Sequence, residues 1–191
     1  MRSMFRFVLF IVFCLANLPV VAAPSPRAAD PNQWQAKMES ELLLMGHRNW
    51  ILIVDSAYPL QTSPGIETIE TNADQTVVIR AVMSALDKST HATPNIYMDA
   101  ELPFVPEQSA PGVTEYRTQI TQLFQGRNLN SLPHEQVIGR IAEAGKIFHV
   151  LVLKSKMTIP YTSVFLQLDC KYWSAEAEKE LRAKMGGSGS K

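Results

Sequence analysis

Cysteine is almost absent: the chain of 191 residues holds two, Cys14 and Cys170. Cys14 lies in an N-terminal apolar stretch that reads as a leader. A mature chain left with Cys170 alone forms no internal disulfide, so its core must hold by burial, for which its length is sufficient. Cys/His pairs at zinc-site spacing are missing too. So is net charge, since 18 Lys and Arg balance 18 Asp and Glu. No basic stripe breaks that balance, which argues against a nucleic-acid partner. The chain has no GxGxxG, no P-loop and no GxSxG elbow. Neither a nucleotide cofactor nor an α/β-hydrolase serine is supported, and no cofactor or metal is expected.

What is present begins with export signals. Arg2 and Arg6 precede an apolar core over residues 7–15, and Val21, Ala22 and Ala23 are small enough for cleavage before Pro24. Asn17 and Pro19 interrupt the stretch, which favours a cleaved leader over a retained anchor. We expect a signal peptide over 1–23, one domain over 24–185 and a flexible tail over 186–191. The mature protein is then periplasmic or secreted, with no membrane partner.

Helical and strand periods alternate along the domain. Asp30 and Pro31 start a helix, with Gln33 placed to reach back as in a capping box. Trp34, Met38, Leu42 and Met45 follow at helical spacing, and Gly46 is suited to a left-handed stop. Residues 50–54 form a continuous apolar run with the length of an interior strand. A loop over 58–67 contains Pro59, Pro64 and Gly65, and 66–70 alternates like a short strand. Helices are expected over 75–87, 114–125 (stopped by Gly126), 133–144 (stopped by Gly145) and 174–185. Further strands are expected over 95–98, 147–153 and 162–168. Such alternation implies a layered α/β/α domain around a largely buried sheet.

Chemistry-bearing residues punctuate this frame. His47 precedes the first strand and Asp55 follows it. In open α/β sheets ligands bind at the carboxyl ends of strands, so both fit one site if the turn folds His47 back over the strand end. His134 falls in the first turn of a helix, whose positive pole favours neutral imidazole. The segment 154–163, with Tyr161, Thr162 and Ser163, is a polar loop between two apolar strands. Asp99 and Glu101 read as solvated acids at a strand exit. Cys170 reads as a small buried residue, and Tyr172-Trp173 as core, interface or sugar platform.

Taken in order, Gly46-His47, the strand 50–53, Val54-Asp55 and Pro59 resemble the opening of the RbsD/FucU family of sugar mutarotases. His134, the strand 147–153 and Tyr161-Thr162-Ser163 resemble its close, with Ser163 where that family has asparagine. The similarity runs over about 36–169. It implies an RbsD-like fold and a homo-oligomer with sites shared between subunits. The implied reaction is cofactor-free interconversion of the anomers or ring forms of a monosaccharide. It also implies His47 as the catalytic acid/base, with Asp55, His134, Tyr161, Thr162 and Ser163 binding sugar hydroxyls. Two alternatives stand beside it. One is an exported sugar-binding or scaffold protein without turnover. The other is a glycoside hydrolase, which would need Asp99 and Glu101 to join Asp55 as paired carboxylates.

Overall fold

The computed structural model describes residues 33–187, with side chains to residue 185. The expected leader, the Asp30-Pro31 helix start and most of the tail lie outside the described residues. Within them are α1 (Gln33–Leu42), β1 (Trp50–Val54), β2 (Ile66–Glu70), α2 (Gln75–Lys88), β3 (Ala92–Asp99), α3 (Val113–Leu123), β4 (Leu129–Leu132), α4 (His134–Ala144), β5 (Val150–Lys154), β6 (Val164–Cys170) and α5 (Ala175–Gly187). A short 3₁₀ turn, Leu102–Phe104, follows β3.

The strands form one six-stranded sheet in the order β2-β5-β1-β6-β3-β4. β5 runs parallel to β1 and β2, and β3 runs parallel to β4. β6 is antiparallel to both of its neighbours, β1 and β3. Five strands therefore end at one edge of the sheet, and β6 begins there.

Alternation along β1 divides the core in two, as a strand covered on both faces requires. Ile51 and Ile53 pack with Leu151, Leu153 and Leu166 beneath Met38, Val78, Val82 and Ile120 of α1, α2 and α3. Trp50, Leu52 and Val54 face the other way, with Val150, Val152 and Phe165, against Val137 and Ile141 of α4. The protein is thus a layered α/β fold with a buried central sheet. Among the described residues no helix is long and apolar enough to cross a membrane.

Several boundaries differ from the sequence expectation. Helix α1 stops at Leu42, though Met45 is buried as its spacing predicts. The left-handed residue in the following turn is Arg48, at φ 76°, and not Gly46. The Asn49 side chain stabilises that turn, accepting from the Gly46 N–H at 2.7 Å and donating to the His149 carbonyl at 3.2 Å. β5 begins at Val150, which leaves Ile147 exposed in the turn after α4. β4, with sequence Leu-Asn-Ser-Leu, has no apolar run to announce it and forms by pairing with β3.

Candidate functional site at the carboxyl edge of the sheet

The strand exits gather the polar groups. Asp55 follows β1, Asp99 ends β3, and Pro133 lets the chain turn from β4 into α4 with His134 as its first residue. The end of α4 is capped from outside: the Glu101 carboxylate accepts the His134 backbone N–H at 3.0 and 3.1 Å. An anion suits this end of a helix, where unpaired N–H groups and the dipole favour negative charge.

Asp99 is the residue that the sequence reading placed wrongly. It is buried rather than solvated, with 2% of its surface exposed. Burial pushes its carboxyl up from 3.8 to about 6, against the lowering pull of a hydrogen bond and charge from His134. Glu101 and Asp55 add their negative charges and push the same way. Its Oδ1 lies 3.0 Å from His134 Nδ1, while its Oδ2 is buried without a hydrogen-bond partner among the described residues. With Asp99 ionised, Nδ1 carries the proton and donates. The lone pair is then on Nε2, on a side chain 30% exposed. A buried acid behind a half-exposed imidazole is the arrangement that orients a general base and stabilises its protonated form.

Tyr161 completes this edge. Its ring meets the His134 imidazole edge to face, with centroids 5.6 Å apart. Tyr161 has φ 58°, a left-handed backbone that a bulky residue adopts only when its surroundings impose it. The next residue supplies the constraint. Thr162 O accepts from Gln75 Nε2 at 2.6 Å and from the Tyr116 hydroxyl at 2.7 Å, and Thr162 Oγ1 donates to Ile159 O at 2.8 Å. Thr162 and Ser163 are themselves buried. The Thr162 side chain holds the loop and both residues are covered, so they do not stand open to a sugar as expected. Asp55 is partly exposed and its Oδ1 accepts the Ala57 N–H at 2.8 Å. Its charge reaches both Asp99 and Tyr58, whose hydroxyl is pushed upward first by burial and then by those two acids.

His47 is not at this edge. The turn does not fold back, so β1 separates His47 from Asp55, and a rise of about 3.3 Å per residue sets the ends of β1 roughly 13 Å apart. The reversed direction of β6 decides what His47 meets instead. Pairing Trp50 with Gln167 brings the far end of β6 beside His47, whose Nδ1 lies 2.7 Å from Asp169 Oδ1. The Asp169 carboxyl is held below its usual range, first by the Cys170 backbone N–H and then by His47. The His47 side chain is 57% exposed. One chain therefore brings together Asp55, Asp99, His134 and Tyr161, and it does not bring His47 to them. Gln75 and Tyr116, which anchor the loop, went unseen because their contacts with Thr162 span 87 and 46 residues of sequence.

Solved structures of similar shape exist. The chain is similar to RbsD of Bacillus subtilis, solved complexed with D-ribose, at 18% identity over 76% of this chain and 98% of that one, with a TM-score of 0.47. It is similar to FucU from Bifidobacterium longum at 16% identity over 70% and 92% of the two chains, with a TM-score of 0.49. The fucose mutarotase of Streptococcus pneumoniae, solved in complex with L-fucose, matches at 17% identity over 68% and 89%, with a TM-score of 0.44. No family model and no curated protein matches the chain. At these identities the likeness is one of chain path and does not extend to activity.

Proposed function

We propose that this protein is a monosaccharide mutarotase or pyranase, an isomerase that works by general acid–base catalysis without a cofactor. The observation that carries this reading is the Asp99–His134 pair beside Asp55 and Tyr161 at one sheet edge. His134 Nε2 takes the proton of the anomeric hydroxyl, and Asp99 stabilises the imidazolium that results. A second proton reaches the ring oxygen as the bond from the anomeric carbon to that oxygen breaks. The open-chain aldehyde then recloses on the other face, or on another hydroxyl, and both transfers reverse. The Asp55 carboxylate and the Tyr161 hydroxyl bind the remaining sugar hydroxyls. Acid–base catalysis of this kind accelerates exchange roughly 10²–10⁴-fold.

His47 is the donor to the ring oxygen in this scheme, and it acts from a neighbouring chain of a homo-oligomer. Its exposure and its orientation by Asp169 support that role, and its position in its own chain requires it. Saturation-exchange NMR on reducing pentoses and hexoses tests the scheme. The wild type accelerates exchange of at least one sugar, and His134→Ala and His47→Ala each lose the acceleration. Refolding the two variants together restores part of it, because some sites in the mixture take His134 and His47 from intact copies. Full activity of His134→Ala would eliminate the mechanism. Sugar binding without acceleration by the wild type would leave an exported binding protein.

A further inference from the structure

At the opposite edge of the sheet, we propose that Glu41, Glu67 and His149 form a binding site for a zinc-class divalent cation that clips α1 to the sheet. Glu41 is on α1, Glu67 is the second residue of the edge strand β2, and His149 directly precedes β5. Their ligand atoms all lie within 4.8 Å of one another. His149 Nε2 and Glu41 Oε2 are 3.6 Å apart. Tetrahedral zinc with bonds of about 2.0–2.2 Å holds its donors about 3.3–3.6 Å apart, so side-chain adjustment closes the set and leaves a fourth position for water.

The imidazole gives the independent sign of a ligand. The His149 side chain is 31% exposed, but its Nε2 is itself covered and makes no hydrogen bond among the described residues, with Glu41 Oε2 just beyond hydrogen-bond reach. A covered ring nitrogen that faces a carboxylate but stops short of a hydrogen bond has a place for a bridging ion. The backbone behind it is already held: the His149 carbonyl accepts from the Trp50 N–H and from Asn49 Nδ2, both at 3.2 Å. One imidazole and two carboxylates suit zinc and its neighbours, whereas magnesium and calcium favour oxygen donors throughout. Lys37 is the counter-ion that competes, since its ammonium pairs with Glu67. No local spacing announces this site, because its members are 26 or more positions apart in sequence. It is independent of the isomerase reading.

The test titrates chelator-treated full-length protein with Zn²⁺, Co²⁺ and Mg²⁺, following thermal unfolding and the visible absorption of bound cobalt. Zinc raises the midpoint saturably, because a ligand bound only by the folded state stabilises it. Cobalt gives the intense visible bands of a four-coordinate site, and magnesium at equal concentration does neither. His149→Ala and Glu67→Gln each weaken zinc binding at least ten-fold, and Glu67→Gln preserves shape should the histidine variant fold poorly. Lys37→Met tightens binding severalfold by freeing Glu67. His134→Ala leaves the zinc response unchanged, which separates this site from the Asp99–His134 pair. The proposal is overturned if zinc has no effect, if both ligand variants respond like wild type, or if the response is lost in His134→Ala instead.

Discussion

Replacing Asp99 by asparagine separates the energetics of the site from its chemistry. The carboxyl rises from 3.8 to about 6 on folding, chiefly because burial disfavours its charge. At about 1.4 kcal/mol per pKa unit, that rise destabilises the folded protein by about 3 kcal/mol once the pH is above 6. The sign follows from the protons. Between pH 4 and 6 the folded state retains a proton that the unfolded chain has lost, so this group's contribution to stability falls as pH rises through the window. The amide of Asp99→Asn has no such titration. It places an N–H where Asp99 Oδ2 has no partner, at a cost of roughly 1–3 kcal/mol that does not vary with pH. The variant is therefore expected to be less stable than wild type near pH 4, and to gain on it by about 3 kcal/mol towards pH 7. Urea denaturation from pH 4 to 8, followed by fluorescence of the buried Trp34 and Trp50, measures the difference. The same comparison in a His134→Gln background removes the histidine's own titration. Exchange activity should fall in the variant, since a neutral amide cannot stabilise the imidazolium. A stability difference between variant and wild type that is constant across the range would refute the assignment of a buried, late-titrating carboxyl.

Two further perturbations probe what holds the site. Gln75→Leu removes the 2.6 Å bond to Thr162 O from a buried position, so we expect a loss of about 1–3 kcal/mol in denaturation experiments. Because Thr162 sets the backbone of Tyr161, the same variant should raise KM more than it lowers kcat. Gly65→Ala places a Cβ 2.5 Å from Phe148 O and 2.6 Å from Gly145 O, both rigid backbone atoms, and should cost roughly 2 kcal/mol or more. Gly145→Ala meets chiefly the Ile66 side chain, at 2.6 Å, which can turn away, so its cost should be smaller. Equal thermal midpoints for the two alanine variants would contradict that distinction.

Local composition determined most of the elements. The run Trp-Ile-Leu-Ile-Val has no polar residue to turn outward and is buried throughout as β1. The apolar stripes of α2 and α4 place Val78, Val82, Val137 and Ile141 in the two cores, as their spacing requires. Pro133 followed by His134 marks a helix start from sequence alone, and α4 begins there. The strand exits carrying Asp55 and Asp99 were legible in the same way. The edge on which each group sits was decided by tertiary structure. His47 and Asp55 are eight positions apart yet lie at opposite ends of β1, because the extended strand separates them and the turn at His47 does not fold back; the reversed direction of β6 then gives His47 its partner, Asp169, 122 positions away. Asp99 was read as solvated because the residues that bury it belong to other elements. Its partner His134 is 35 positions distant, on a helix reached through a strand with no apolar signature. Periodicity reports which side of an element is apolar. Strand direction and the burial of a single carboxylate depend on contacts between distant segments, and those are set only when the sheet assembles.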